Sequence, residues 1–592
     1  MKTLNIKYLI FTSLMAGSLM AASAQQDSTK LRKEVEVVKA YQPTISDAYK
    51  INTQPQITPQ QANKPVFEYQ IKTQPTMTSF QVEPVQAAAM KAERLAPMEN
   101  GLFKLGAGNY TTQYGELFLN AKAGRSSTLG FHWNSYLSNG KLKLKNNDKV
   151  KAPYNKHLFE FFTDHDLGGS TLSTKAYFEH QSFRYYGYTG SYLNDLEKAD
   201  SIPDWNLKQA FNKAGISLQF AQKPGTKADI NVNTGLGYQY FDTKTGQREN
   251  AFKWNGTFKA PILLMEGVFD AGISYNHTNN VYSDYEQALS KRDQLILRIS
   301  PAAVFDSQYL KFKIGVNTYT TFDRNEKTNY MITPSASINF TAIENWLSLY
   351  AAADGYLKEN NYSAIASENP FVRYDQNLKN TKYRYILTGG IKGKITENLN
   401  YGLQVDYANV KNQYFYYLNY LETTYAGTTE TFRNNTFDVA YDRSKELTLG
   451  GELHYALNQE LNFRLKAAYH NYATDSLQHA FLKPSFESTA SAYYDPEGPF
   501  RFTADLYIVG SRKALIQTTH HNLDDANSVD TYSQQISSMP TVIDLNLGVE
   551  YRFNRSIGLW GRTNNFTSKK YELFPGYMNQ GLNFMMGASL NF

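Results

Sequence analysis

From Gly101 to the end of the chain, apolar and polar residues alternate one for one in runs separated by turn residues. Leu117, Leu119 and Ala121 share one face of such a run, opposed by Glu116, Asn120 and Lys122. Ile230, Val232, Leu236, Tyr238 and Tyr240 alternate with Asn231, Asn233, Gly235, Gly237 and Gln239. The pattern returns at Leu310, Phe312, Ile314 and Val316, at Leu461, Phe463, Leu465, Ala467 and Tyr469, and at Ile543, Leu545, Leu547 and Val549. The last run, Leu582 to Phe592, ends the chain on an aromatic residue with Leu582, Phe584, Met586, Ala588 and Leu590 on one face. Period two is the signature of a strand, whose successive side chains point to opposite faces.

The residues opposite the apolar faces decide what kind of sheet this is. Lys311, Lys313, Arg464, Lys466 and Asp544 all fall there. A Lys or Arg facing lipid at mid-membrane costs roughly 2–4 kcal/mol, so in a membrane these side chains line a wet lumen. Short turns, such as Gly124-Arg125-Ser126, Asp166-Leu167-Gly168-Gly169 and Asn554-Arg555-Ser556, alternate with long polar segments at 140–156, 186–205, 358–380, 412–443, 512–539 and 566–580. With the first strand starting in the periplasm, every short turn is periplasmic and every long segment external, as in outer-membrane barrels. The expectation is an all-β protein, a large transmembrane antiparallel barrel of about 22 strands, within about 18–22. A soluble sandwich with one polar face is the competing reading of the alternation alone.

The front of the chain agrees with an envelope location. Lys2 and Lys7 precede the short apolar run Tyr8 to Met15, and Ala22-Ser23-Ala24 is an A-x-A cleavage signal, so residues 1–24 read as an export leader. There is no cysteine, which excludes disulfides, thiol–metal sites and N-terminal lipidation. No later stretch nears about 18 consecutive apolar residues, so no membrane helix is expected. A mean hydropathy of −0.51 suits a barrel with a wet interior and long loops. Aromatic residues make up 14% of the chain, with 45 Tyr, as interfacial girdles require. The net charge of +6 is too small to argue for nucleic acid.

The C-terminal segment carries a resemblance. Asn564-Asn565-Phe566, Lys570-Tyr571, Phe574-Pro575-Gly576-Tyr577 and the closing Gly581 to Phe592 resemble the end of TonB-dependent receptors, whose barrels have about 22 strands. The resemblance implies solute uptake across the outer membrane, with Phe592 as the signal read by the barrel assembly machinery. The N-terminal side departs from that family. Residues 25–100 are rich in Gln, Pro and Thr, and Gln54-Pro55-Gln56-Ile57-Thr58-Pro59 reads as extended chain rather than a globular plug. Within it, Val35, Glu36, Val37 and Val38 resemble a TonB box, a short segment that pairs with the energising partner. A segment that docks elsewhere, or is simply tethered, is the stronger candidate for these residues.

A wide barrel without a plug leaves three arrangements open. The N-terminal segment and the external loops fill the lumen, the lumen is a selective pore, or the barrel is a scaffold in envelope assembly or a surface complex. Enzyme chemistry finds little footing. Asp164-His165-Asp166 lies at a short turn, and His520-His521 with Asp524-Asp525 lies in an external segment where adjacent histidines point apart. No catalytic, metal or cofactor residues are expected. Two external features could bind: Lys141, Lys143 and Lys145, suited to lipopolysaccharide phosphates or an anionic solute, and Tyr414, Tyr416 and Tyr417, suited to stacking on flat ligands. The expected protein is an outer-membrane transporter, processed after export near Ala24. Intact-mass measurement of protein purified from membranes should then give a first residue of Gln25; retention of residues 1–24 would refute the leader.

Overall fold

The computed structural model describes residues 100–592, apart from residues 146, 148, 187–207, 224–228, 284–287, 325, 426–427, 459 and 523–530. The leader, the 25–99 stretch with Val35 to Val38, and Asp524-Asp525 therefore lie outside the described residues. Among those described, twenty-four strands are hydrogen-bonded into one sheet. Two of them, Arg512–Asn522 and Thr531–Met539, form a hairpin off the ring, because Phe500–Val509 pairs directly with Val542–Arg552. The remaining 22 run as an antiparallel meander, and the first strand, Gly101–Gly108, pairs with the last, Asn583–Asn591, to close it. Closure leaves no free sheet edge in lipid, where an unpaired backbone group costs several kcal/mol.

The two faces of the wall follow the alternation. Leu105, Phe161, Ile216, Leu236, Ile314 and Leu403 are exposed on the outer face. On the opposite face of three successive strands, His132 lies between Glu116 and Glu160, at 3.4 and 3.1 Å, and Lys175 pairs with Glu160. Near the short-turn end, Arg552 and Arg501 hold Asp495 at 2.6 and 3.0 Å, and Arg501 also reaches Glu550 at 3.2 Å.

At the long-loop end, which is external by the barrel convention, two expected loops are sheet instead. Segment 412–443 lies within two long paired strands, Leu399–Tyr425 and Thr428–Ala456, that continue well past the wall. Within segment 512–539, Arg512–Asn522 and Thr531–Met539 are the extra hairpin's strands, and the first pairs in parallel with the long one, Leu418 to Thr424 against Ile516 to Asn522. Each supplies edge hydrogen bonds the other needs, so polar sequence above the membrane still forms strand.

The closing seam rests on two glycines. Gly106 and Gly587 face each other across it, with the Trp560 ring laid over both. A Cβ on Gly587 would stand 1.9 Å from the Leu105 carbonyl oxygen, and one on Gly106 would stand 2.4 Å from the Trp560 ring. The Trp560 ring meets Tyr114 edge-on at 5.7 Å and covers the gap the glycines leave. Terminal Phe592 exchanges backbone bonds with Gly101 at 2.8 and 3.0 Å. Gly587→Val should prevent closure, seen as loss of the heat-modifiable band of the folded barrel on unboiled gels; a normal shift would show that the seam can spread.

Candidate functional site

The connection between strands Leu347–Lys358 and Thr381–Thr396 does not project outward. Residues 359–380 contain one short helix, Tyr362–Glu368, and cross the bore to walls far away around the ring. Asn361 caps the helix, its side chain accepting from the Ala364 amide at 2.9 Å. Glu249, from strand Arg248–Ile262, accepts from the amides of Tyr362 and Ser363 at 2.7 and 3.0 Å. Three of the four amides that a helix start leaves unpaired are thus satisfied. A carboxylate there also complements the helix dipole, a contribution of roughly 0.3–2 kcal/mol. This contact seats the loop on a wall strand five places away around the ring.

Around the helix lies an aromatic core drawn from separate parts of the ring. Tyr362 meets Phe211 and Phe241 at 6.3 and 6.1 Å. Phe371 stacks on Tyr577 at 3.6 Å and meets Phe183 edge-on at 5.8 Å. Val372 forms a parallel bridge with Phe437, where the Arg373 amide donates to the Phe437 carbonyl and the Phe437 amide to that of Phe371, both at 2.9 Å. Val372, Phe437 and Tyr577 are each 0% exposed. Desolvation pushes the Tyr362 phenol far above its ordinary pKa, and the group donates to the Val372 carbonyl at 2.8 Å. Burial works to lower the Arg373 pKa, but Asp438 and Asp375, at 3.3 and 2.7 Å, raise it on balance. The result is a stopper across the external mouth, built by the barrel's own loops.

The sequence-derived candidates meet different fates. Tyr414 and Tyr416 are buried at 2% and 3% in the stopper, with Tyr414 donating to Glu368 and accepting from Lys358 at 2.8 Å. Tyr417 packs against a second cluster with Phe415, Phe481 and Leu515. Tyr414 and Tyr416 thus present no open stacking face, whereas Tyr417 is only half-buried. Lys141 and Lys143 are exposed on a hairpin, Lys141–Lys143 with Lys149–Lys151, while Lys145 is held by Glu572 at 2.8 Å. Lys311 pairs with Asp306 at 2.5 Å and Lys466 with Glu452 at 3.4 Å. Lys313 lies two residues from Lys311 on the same face of its strand, and Arg464 is exposed. Asp544 anchors loop 565–582, accepting from the Tyr571 hydroxyl and the Asn565 amide.

Asp164, His165 and Asp166 turn to three separate partners, Ser173, Ser127 and Lys223, so no acid–base cluster forms. His520 contacts Ser533. Reading the sequence missed Glu249, Tyr362, Phe371 and Val372. The available signal was apolar: Tyr362, Ile365, Phe371 and Val372 interrupt a segment read as polar loop.

The structure defines a large outer-membrane β-barrel. Its fold is that of the TonB-dependent receptor barrels, and the likeness covers 83% of the chain. The siderophore receptor PirA from Acinetobacter baumannii matches over 80% of its own length with a TM-score of 0.61 at 11% identity. The FrpB iron transporter from Neisseria meningitidis matches over 81% with 0.60 at 10%, and the copper transporter OprC over 80% with 0.58 at 12%. At these identities the likeness is one of fold. No protein-family profile and no curated sequence matches the chain.

Phe371→Ala should unseat the loop, because deleting a buried ring costs about 3–5 kcal/mol. Limited proteolysis should then cut within 359–380 while the heat-modifiable band stays normal. Equal resistance to the protease would show that Phe371 does not hold the stopper.

Proposed function

We propose that the protein takes up a solute across the outer membrane through a bore gated by its own loops. The observation that carries this reading is the stopper itself: at the mouth of a 22-strand wall, wide enough for a channel, connection 359–380 shares one aromatic core with distant strands and with loop 565–582. A loop held by side-chain contacts and one short bridge can leave without breaking the wall. The fold likeness to uptake receptors supports the same reading.

Other parts of the chain find roles within it. Residues 25–100 serve as the periplasmic handle, with Val35, Glu36, Val37 and Val38 as the segment for TonB or another energising partner. Lys141 and Lys143 face the lipopolysaccharide phosphates, and Phe592 serves the assembly machinery. The leader ends near Ala24, and catalysis plays no part. The completeness of burial at Val372, Phe437 and Tyr577 favours one rival, a permanently shut barrel that acts as a scaffold.

Planar-bilayer conductance separates the two. The intact chain should be nearly silent, and a variant with residues 361–377 replaced by a short Gly–Ser linker should give large conductance steps. Silence from the linker variant, with its barrel shown to be folded, would overturn the uptake reading in favour of the scaffold.

A further inference from the structure

The extra hairpin joins the rest of the sheet through its first strand, Arg512–Asn522, which pairs with Leu399–Tyr425. Its second strand, Thr531–Met539, is paired on one side only, Thr531 to Met539 against His520 to Arg512. Among the described residues, no other strand pairs with its far edge. Thr531 to Ile536 are exposed one after another, Tyr532 at 61% and Ile536 at 40%. An edge left in this way presents a row of backbone donors and acceptors at the spacing of one more strand.

Proteins ordinarily blunt such edges with charge, proline or a bulge, and this molecule does so at two other places. Strand Glu326–Ile343 joins Leu347–Lys358 only from Ala336 onward. Its upper part carries Lys327 and Pro334, and its register with the strand behind it is broken between Thr321 and Asp323. The two-stranded hairpin, Lys141–Lys143 with Lys149–Lys151, has lysine at both ends of both strands. Thr531–Met539 has none of these devices. It contains no charged residue and no proline, and its register with the first strand runs without a bulge. Cross-strand bonds from Gln534 to Gln517 at 3.0 Å and from Lys513 to Ser538 at 2.8 Å hold it in place.

We propose that this edge takes up an extended segment of another protein as a further strand of the external sheet. The sheet already grows by edge pairing, since Ile516 to Asn522 joined Leu418 to Thr424 in the same manner. Main-chain bonds require extended chain, which a helix or a lipid surface does not offer, and side chains then select among segments. Tyr532 and Ile536 fall on one face of the strand with Gln534 between them. A matching segment places apolar residues opposite both, at positions i and i+4. Elsewhere the edge presents Thr, Ser and Gln, so charge on the segment gains no partner there. This binding does not depend on conduction through the bore.

The test is fluorescence anisotropy of a labelled peptide that copies residues 531–539, titrated with the detergent-solubilised full chain. The copy has apolar residues at the required spacing, and antiparallel pairing about Gln534 sets its Ile against Tyr532 and its Tyr against Ile536. The peptide should bind, and the same peptide N-methylated along its centre, with side chains intact and the backbone ladder blocked, should not. Tyr532→Lys combined with Ile536→Lys puts charge on two exposed positions. It should weaken binding about tenfold while the heat-modifiable band stays normal. No binding of the plain peptide, equal binding of the methylated one, or full affinity in the double variant would each overturn the proposal. Sedimentation of the full chain alone identifies the source of the added strand. A monomer supports a foreign segment, whereas a dimer that the double variant abolishes gives the edge to a second copy and overturns the proposal.

Discussion

Hydrocarbon offers backbone amides and carbonyls nothing to bond with, so a sheet in a membrane has to close on itself. Much else about this molecule descends from that constraint. Closing 22 strands satisfies the wall and encloses a bore too wide for wall side chains to fill. The inner face is therefore free of packing demands and carries ions instead, in arrangements such as Glu116–His132–Glu160–Lys175. Their weight is in keeping the interior wet.

What the wall cannot fill, its loops do. A connection such as 359–380 is too short to form a core of its own, so it borrows one, inserting Tyr362, Phe371 and Val372 among Phe183, Phe211, Phe241, Phe437 and Tyr577. Aromatic rings suit the task, since each buries a large area while only two side-chain torsions are ordered. The helix start adds direction, because its amides find their carboxylate only at Glu249. Apolar volume and one directional contact together define a single seat.

The wall was legible in the sequence because its pattern is local. Period two marks faces wherever one side is lipid and the other water, as at Leu310 to Val316, and short turns mark one rim. The stopper was not legible, because its partners are joined only through the closed ring. Nothing near Phe371 announces Tyr577. The run from Tyr414 to Tyr417 failed for a sharper reason: above the membrane the strand is covered on both faces, Tyr414 and Tyr416 by the stopper, Phe415 and Tyr417 by the second cluster. Apolar residues at consecutive positions erase the alternation that identifies a strand, and a polar environment on either side makes the segment read as loop.

The seam between Gly101 and Phe592 also governs the order of events in folding. Every other neighbouring pair in the wall is joined by a connection that lies between consecutive strands, so each can zip onto the growing sheet soon after it is made. The pairing of first strand with last spans nearly the whole length of the wall, and the entropy of bringing such distant ends together can be recovered only at the final step. Until then the sheet has two open edges and the mouth has no complete rim on which the stopper can sit. The seam is thus the longest-range pairing in the wall, and the one whose closure leaves the sheet without an edge.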